Sequence, residues 1–451
     1  MIASVQKWVE SKQQELFPAN SLRARFTTAA FWSIAGAVIS RGCVLLASIA
    51  CARLLGKTGF GELGMIQSTV GVFGIFAGLG LGLTATKFVS EFRDSDPERV
   101  GQILGLSSVT AIVSGAVMTL ALVAASPYLA RHILRAPKLA MPLAVSAGLV
   151  FFGGLNGAQT GALIGLEAFR KISAINLWAG LATFFFALAG TLLYGLPGAV
   201  AGFVAALAFS WLFNNVALRQ ECRKHGIQFQ YLNCAKQKHI LYRFTLPAFL
   251  ASVIVGPAIW VCNAMLVNQP DGYARMGLYT AADKWRLLIL FIPTSVSGTV
   301  LPILSSLYSS GDMTGYNKIL NANLALHFGL VALPALVIAI FASPVLSVYG
   351  AAYRAAWPIL VILSFSAIPE ALNNILGYAA IVSVSVWWRL WFDILLAATL
   401  LGFALWAIPR WGAIGLAGAY AAAFSLTAAG LALFLRGRLP ERKPEITGAA
   451  G

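Results

Sequence analysis

The chain has 451 residues, of which 59% are hydrophobic and only 11% are charged. A soluble domain is about 45–50% apolar and about 25% charged, so this composition excludes a soluble enzyme, a disordered chain and a small disulfide-bonded scaffold. The apolar runs reach the length of about twenty residues that a membrane-spanning helix needs, whereas barrel strands alternate apolar and polar residues over about ten. The composition therefore predicts an all-α polytopic membrane protein.

Taken in chain order, the apolar segments predict twelve membrane spans in two halves of six. The longest loop, 218–243, carries six Lys and Arg residues and few apolar ones, and we interpret it as the linker between the halves. The spans are 27–50, 60–86, 102–125, 139–166, 172–193, 197–217, 244–267, 277–307, 319–342, 356–381, 387–407 and 412–435. The predicted organisation is a cytoplasmic N-terminal segment 1–26, an N-lobe 27–217, a basic cytoplasmic linker 218–243, a C-lobe 244–435 and a cytoplasmic tail 436–451.

The two halves repeat each other in sequence at a nearly constant offset of 216 to 218 residues. Because each half has an even number of spans, both halves have the same orientation, and parallel duplication is a recurring transporter design. We therefore predict two pseudo-symmetric six-helix lobes around a central cavity; a duplicated scaffold without a transport role remains the alternative. The matches are Arg25–Thr27 with Arg243–Thr245, Ala125–Leu129 with Ala342–Leu346, Pro142 with Pro358, and Gly195 and Gly198 with Gly412 and Gly415.

Net charge is +16, from 32 Lys and Arg against 16 Asp and Glu. In a membrane protein such an excess first reports topology, because Lys and Arg stay on the cytoplasmic side. With both termini inside, 21 of these cations are cytoplasmic, eight are external and three lie at membrane depth. The external group Arg131, Arg135 and Lys138 opposes this orientation locally, but the basic linker outweighs it. We therefore predict two cytoplasmic termini and no nucleic-acid partner.

Three segments resemble motifs of a known family. Ala52-Arg53-Leu54-Leu55-Gly56, followed by Phe60-Gly61, resembles the "ARLLG…FG" signature of bacterial polysaccharide exporters and oligosaccharide-lipid flippases. Gly277–Lys284 resembles the "G.YxxAxK" motif at the start of that family's eighth helix. Ile408–Ala417 resembles its "IP.YG..GAA" motif, with Trp411 in place of the usual tyrosine. The same superfamily contains multidrug-and-toxin exporters and the peptidoglycan-precursor flippase.

The resemblance implies a V-shaped cavity, alternating access and a cargo that is an oligosaccharide linked through pyrophosphate to a polyprenol. Such a protein flips its cargo from the inner to the outer leaflet of a bacterial cytoplasmic membrane. It is then not an enzyme, it needs no cofactor, and its partners are the lipid-linked oligosaccharide, membrane lipids and an H⁺ or Na⁺ coupling ion. We expect a monomer, with polysaccharide-assembly proteins as the candidate protein partners.

Three cations lie at membrane depth: Arg41 near the middle of span one, and Lys284 and Arg286 in the first third of span eight. Such a charge costs roughly 2.5–3.5 kcal/mol on insertion scales, so it usually faces a cavity and has a task. Guanidinium binds phosphate by paired hydrogen bonds, and ammonium acts as a point charge. These three residues are therefore the predicted pyrophosphate contacts. The alternatives are an ion pair for Arg41 and snorkelling of Lys284 and Arg286 to the interface.

Three carboxylates at membrane depth, Asp283, Glu370 and Asp393, are the candidates for ion coupling, because a buried carboxylate can exchange a proton. Arg286 follows Asp283 by three residues and can pair with it on one helical face. Asp393 follows Arg389 by four residues, which favours a structural ion pair. Glu370 has no cation within one helical turn in sequence, so it is the strongest candidate. No metal site is predicted.

Two rival functions follow from the same observations. A multidrug exporter of the same superfamily would favour an acidic pocket for cationic drugs. A membrane-bound polysaccharide polymerase or ligase would carry a large extracytoplasmic loop with catalytic residues. The largest loop predicted on that side, 126–138, has no acid–base pair, so the polymerase or ligase is the weaker rival.

Overall fold

The computed structural model describes residues 22–231, 253–297 and 300–438, together with residues 237, 240, 245 and 249. The predicted N-terminal segment, linker and tail therefore lie partly outside the described residues, as does the first part of span seven. No strand occurs among the described residues.

The described chain is a succession of helices, which we number in chain order. The first part contains α1 Leu22–Gly78, α2 Leu81–Phe92, α3 Pro97–Tyr128, a π-helical turn Leu129–Ile133, a 3-10 turn Pro137–Leu139, α4 Ala140–Gly165 and α5 Phe169–Lys224. The second part contains α6 Val255–Val267, α7 Gly272–Ser297, α8 Val300–Ser309, α9 Met313–Ile340, α10 Ala342–Ser347, a 3-10 turn Ala351–Ala356, α11 Trp357–Ser383, α12 Val386–Trp411 and α13 Ala413–Arg436.

Two of these helices are too long to be single membrane spans. Helix α1 has 57 residues, or about 85 Å at 1.5 Å per residue, against a hydrocarbon core of about 30 Å. Gly56, at φ 68° and ψ 176°, divides α1, and Tyr194 and Gly195 divide α5 in the same way. Each of these helices therefore supplies two spans.

The number of spans agrees with the sequence. Among the described residues, nine helical stretches are long and apolar enough to cross a membrane, and the two divided helices raise these to eleven spans. The shorter apolar helix α6 lies within predicted span seven, 244–267. The prediction of an all-α polytopic membrane protein with about twelve spans is confirmed.

The sequence repeat is visible in the backbone. Gly195 and Gly412, which the offset of 217 pairs, adopt nearly the same unusual conformation, with φ 59° and ψ −133° in the first and φ 54° and ψ −124° in the second. A positive φ of this kind is open to glycine and strained for other residues. The helices that begin at Ala140 and Trp357 are also 217 residues apart. The duplication therefore extends from sequence to local structure.

The chain divides into two compact units. Unit 1 takes the described residues within Met1–Ser48, Phe73–Ser126 and Met141–Phe249, and unit 2 takes those within Ile49–Val72, Pro127–Ala140 and Leu250–Gly451. Segments 49–72 and 127–140 precede the linker in sequence but belong to unit 2 by their contacts. The domain boundaries at 217 and 244 stay a prediction.

Inside unit 2, the second part of α1 packs closely on α7 through glycines. A Cβ on Gly61 would collide with the carbonyl oxygen of Tyr273, and a Cβ on Gly277 would collide with the carbonyl oxygen of Lys57. Small residues let membrane helices bring their backbones into contact, where van der Waals packing replaces the hydrophobic driving force. The two glycines therefore set the distance between α1 and α7.

We predict that Gly61→Ala destabilises the protein and that Gly71→Ala, in the same helix, does not. The added methyl group at residue 61 meets backbone, which cannot move aside, and overpacking of this kind costs about 1–3 kcal/mol. Nothing lies within 4 Å of a Cβ on Gly71, and alanine is the better helix former. Thermal unfolding of the purified variants in detergent measures the difference. Equal melting temperatures would show that the α1–α7 crossing tolerates a wider separation.

Candidate functional site

A buried arginine joins three helices of unit 2. Arg286 of α7 is 6% exposed. Its Nε and Nη2 both donate to Oδ1 of Asp283 at 2.7 Å. Its Nη1 donates to Oε2 of Glu370 on α11 and, at 3.0 Å, to the hydroxyl of Tyr420 on α13. We call Arg286, Asp283, Glu370 and Tyr420 the Arg286 cluster.

Local sequence explains how each member reaches the cluster. Asp283 and Arg286 are three residues apart on α7, which places them on one helical face. Glu370 lies in the interior of α11, directly after Pro369. The ring of Tyr420 lies 4.6 Å from the guanidinium carbon of Arg286, close enough for a cation–π interaction as well as the hydrogen bond.

The surroundings of the cluster are apolar. Nearby in sequence on α7 and α11, and on the neighbouring α9, six residues form a buried hydrophobic group: Ile289, Leu290, Val331, Ala335, Ala367 and Ala371. In such surroundings an uncompensated charge is expensive. One guanidinium faces two carboxylates, so the cluster carries one excess negative charge when both are ionised. One bound proton or one Na⁺ would neutralise that charge, and ion coupling at this cluster stays a prediction.

These contacts change the interpretation of two predicted residues. Glu370 has no cation near it in sequence, yet the fold supplies Arg286 from another helix. Arg286, a predicted pyrophosphate contact, has donors on all three nitrogens engaged by the cluster. These contacts use four of the five N–H donors of the guanidinium, so binding of a phosphate by two paired hydrogen bonds requires the release of at least one of them. Its role in cargo binding stays a prediction.

Lys284 lies next to the cluster in sequence but has different partners. Its Nζ donates to Oε1 of Gln67 on α1 at 2.9 Å. One residue further along α1, the hydroxyl of Ser68 accepts from Nδ2 of Asn263 on α6 at 2.9 Å. A polar seam thus joins α1 to α6 and α7 within unit 2. Arg41 lies in the first part of α1, is exposed and belongs to unit 1, and its joining with Lys284 in one cavity stays a prediction.

Asp393 forms the ion pair that its spacing predicts. The guanidinium of Arg389 donates to both of its carboxylate oxygens, at 3.1 Å and 2.9 Å. Nη1 of Arg389 also donates to the carbonyl oxygen of Asn373 at 3.0 Å. With one cation for one carboxylate, this pair has no excess charge. The structural ion pair is confirmed, and a part for Asp393 in ion coupling stays a prediction.

Sequence analysis missed Tyr420 and Gln67. Tyr420 stands among alanines in span twelve, Ala419-Tyr420-Ala421-Ala422, and its isolation in a small-residue segment was the available signal. Gln67 had a comparable signal, as an uncharged polar residue in the middle of an apolar span. Within the described part of the chain, no three His, Cys, Asp or Glu side chains come together as metal ligands.

Comparison with known proteins gives one family and several relatives. The profile of the family described as "Polysaccharide biosynthesis protein" matches residues 26–308. The Lipid III flippase of Escherichia coli (strain K12) is 23% identical over 409 residues, which are 88% of this chain and 94% of that protein. The EPS I polysaccharide export inner membrane protein EpsE of Ralstonia nicotianae is 23% identical over 290 residues, 63% of this chain. That match spans 64% of EpsE, less than two thirds of its length.

Among solved structures, a multidrug resistance MATE family transporter of the MOP superfamily, in an inward-facing conformation, superposes with a TM-score of 0.74. The match covers 88% of this chain and 94% of the transporter at 15% identity. The likeness shows that this chain has the same fold, with twelve membrane helices. The fold and the relatives are those of transporters rather than of enzymes.

We predict that Arg286→Met is strongly destabilising because it leaves two carboxylates without their cation. Removal of one partner from a buried ion pair typically costs about 3–5 kcal/mol. The triple variant Arg286→Met, Glu370→Gln, Asp283→Asn removes the charges together, so part of the lost stability should return. Thermal unfolding in detergent measures both effects.

The control for this prediction is Arg93→Met. Arg93 donates to Glu167 at 2.7 Å, and the two side chains are 20% and 53% exposed. Because Glu167 is open to solvent, which screens the pair, this ion pair should contribute only about 0–1 kcal/mol. An equal loss of stability in Arg93→Met and Arg286→Met would contradict the view that burial makes the Arg286 cluster important.

Proposed function

The chain belongs to the polysaccharide biosynthesis protein family, and we propose that it is a flippase for polyprenyl-pyrophosphate-linked oligosaccharide in the bacterial inner membrane. The observation that carries this proposal is the Arg286 cluster, a buried site with one excess carboxylate inside a chain with a transporter fold. The similarity to the Lipid III flippase and to the polysaccharide export inner membrane protein EpsE supports the cargo class and the membrane. Transport of this cargo would serve surface polysaccharide biosynthesis by alternating access.

Coupling to an ion gradient follows from the charge of the cluster. When Glu370 is ionised, it holds Nη1 of Arg286. A proton on Glu370 removes one of the two negative charges that hold the guanidinium, so Arg286 can turn a donor to a phosphate oxygen. Protonation of Glu370 and binding of pyrophosphate to Arg286 then favour each other, since each weakens the contact between Glu370 and Arg286. In this mechanism Asp283 stays paired with Arg286 and keeps it in place.

Arg41 and Lys284 complete the proposed contacts to the cargo. Lys284 is a point charge at membrane depth that donates to the uncharged amide oxygen of Gln67, and an ammonium attracts a phosphate without needing one fixed geometry. Arg41 supplies a planar fork suited to paired hydrogen bonds with phosphate. Apolar helices screen a charge less than bulk water does, which strengthens the attraction of each cation for a pyrophosphate.

For coupling, we predict that Glu370→Gln abolishes transport driven by a pH gradient but leaves cargo binding intact, because the amide resembles the protonated acid. The matched variant is Asp393→Asn, which removes a buried carboxylate from a charge-balanced pair, and it should keep gradient-driven transport. The measurement is cargo flipping in proteoliposomes with and without an imposed gradient. Normal gradient-driven transport by Glu370→Gln together with its loss in Asp393→Asn would move the coupling site to Asp393.

For cargo recognition, we predict that Arg41→Ala and Lys284→Ala each reduce export and cause lipid-linked oligosaccharide to accumulate inside the cell. Arg41→Lys keeps the charge without the planar fork, so it should retain part of the activity. The control is Arg410→Ala, an exposed arginine at the end of α12 whose Nη1 donates to the carbonyl oxygen of Trp406. Surface polysaccharide and intracellular lipid-linked oligosaccharide are measured together.

The outcome against the proposal is a double variant, Arg41→Ala and Lys284→Ala, that is present at normal levels and exports polysaccharide fully. Such a result would favour the alternative, a multidrug exporter. Two observations support that alternative: the fold shared with a multidrug resistance transporter, and the excess negative charge of the Arg286 cluster, which suits a cationic drug. Loss of drug efflux in Glu370→Gln, with polysaccharide unaffected, would establish it.

A further inference from the structure

A loop of unit 2 is held firmly against the turn between α6 and α7. Nδ2 of Asn268 donates to the carbonyl oxygen of Ile133 at 2.8 Å, and the hydroxyl of Tyr273 donates to the carbonyl oxygen of Leu134 at 2.8 Å. These two bonds fix the backbone immediately before Arg135. The loop therefore presents the Arg135 side chain from a defined position.

The backbone on both sides of this contact adopts a left-handed conformation, which raises its conformational energy. Arg135 has φ 50° and Asp271, in the α6–α7 turn, has φ 53°. Among the described residues only four that are not glycine have a positive φ, and two of the four line one cavity. Left-handed conformations of such residues cost about 1–3 kcal/mol and cluster at ligand sites, where the surrounding structure imposes them. The strain is therefore a sign of function at this position.

Two adjoining cavities lie at this contact. One, of about 320 Å³, is lined by Arg135, Asn268, Gln269, Asp271 and Tyr273 among others. The second, of about 400 Å³, shares the first three of these residues and adds Trp260. Small-molecule sites usually have volumes of about 300–1,000 Å³. We call the two cavities together the outer pocket.

The chemistry of the outer pocket suits a polyhydroxyl compound. Arg135 donates hydrogen bonds, Asp271 accepts them and Gln269 does both. Their charges cancel, so the pocket has no preference for an anion. Nδ2 of Asn268 already donates to two carbonyl oxygens, while its Oδ1 is buried and has no hydrogen-bond partner among the described residues. The pocket thus offers donors and acceptors side by side.

An aromatic wall adds a second feature of a sugar site. Nε1 of Trp260 donates to the hydroxyl of Thr69 at 3.0 Å, which fixes the orientation of the indole. An indole held in this way offers an apolar surface of fixed direction, suited to the C–H face of a sugar ring. A simple anion would make no use of such a surface.

The position of the cations in this loop also supports a ligand site. Arg131, Arg135 and Lys138 lie on the side that the charge count predicts to be external, against the usual preference. Lys138 is accounted for by its ion pair with the buried Glu62, at 2.6 Å. Arg135 has no carboxylate within ion-pair distance in the described part of the chain. Its side chain is exposed, so its donors are open to a ligand as well as to water.

We propose that the outer pocket binds a neutral sugar unit, as a glycan site at the end of the protein predicted to be extracytoplasmic. The proposal rests on the proposed function, because a glycan that reaches the outer leaflet would meet this pocket. It adds a contact to the sugar part of the cargo, whereas Arg41, Lys284 and Arg286 address the pyrophosphate.

The test is binding of free sugars to the full-length protein in nanodiscs, measured by saturation-transfer NMR. The probes are glucose, galactose, N-acetylglucosamine and glucuronic acid. The decisive variant is Arg135→Gly, which removes the guanidinium while glycine accepts the positive φ without strain, so folding is preserved. A second variant, Gln269→Ala, removes an amide from the pocket. The control is Arg131→Ala, an exposed cation of the same loop.

We expect the wild-type protein to bind at least one of the three neutral sugars. Arg135→Gly and Gln269→Ala should each weaken that binding by roughly tenfold, since hydrogen bonds to a ligand are lost, and Arg131→Ala should bind as the wild type does. Failure to bind any neutral sugar would overturn the proposal, as would equal binding by Arg135→Gly and wild type. Preference for glucuronic acid, or displacement of the sugar by phosphatidylglycerol vesicles, would show an anion or lipid-headgroup site instead.

The two proposals fail separately. If sugars do not bind but lipid-linked oligosaccharide is still flipped in proteoliposomes, only the outer pocket is disproved. If sugars bind in the Arg135-dependent way but no lipid-linked oligosaccharide is flipped, the pocket stands and the flippase function is disproved.

Discussion

The burial of a charged guanidinium among membrane helices is the constraint on which unit 2 depends. Arg286 cannot remain in apolar surroundings without counter-charges, and it obtains them from its own helix and from α11, with a hydroxyl from α13. These bonds hold three helices in register, and they do so with one carboxylate more than a single cation balances. The same interaction therefore stabilises the packing and leaves one excess negative charge in the cluster when both carboxylates are ionised.

Close helix packing makes such polar contacts possible elsewhere in unit 2. Gly61 and Gly277 let α1 and α7 touch through their backbones. At this separation Lys284 reaches Gln67, and the neighbouring α6 places Asn263 against Ser68. In a membrane, polar side chains that find partners across helices stabilise association modestly. Here they also place the ammonium of Lys284 and the amide of Gln67 at membrane depth. In sequence, Lys284 directly follows Asp283 of the Arg286 cluster.

Duplication supplied the scaffold but not the chemistry. The positive-φ glycines at 195 and 412 show that the two halves share local structure. At the offset of 217, however, the positions of Asp283, Arg286, Glu370 and Tyr420 correspond to Ile66, Thr69, Gly153 and Phe203 in the first half. The repeat therefore preserved the backbone while only the second copy carries the charged cluster. The two halves therefore share a backbone but differ in the charges they carry at membrane depth.

The fold class, the approximate spans, the repeat and the Arg389–Asp393 pair follow from the amino-acid sequence alone, because they depend on hydrophobic length, composition and contacts within one helical turn. The contact of Glu370 with Arg286, the addition of Tyr420 and the contact of Lys284 with Gln67 became visible only in the folded structure. Each of these contacts joins residues on different helices, 84, 134 and 217 positions apart along the chain. Helical periodicity predicts which face of a helix a residue lies on, but not which other helix packs against that face. A search for cations within one helical turn therefore left Glu370 without a partner. Packing between helices then supplied its partner.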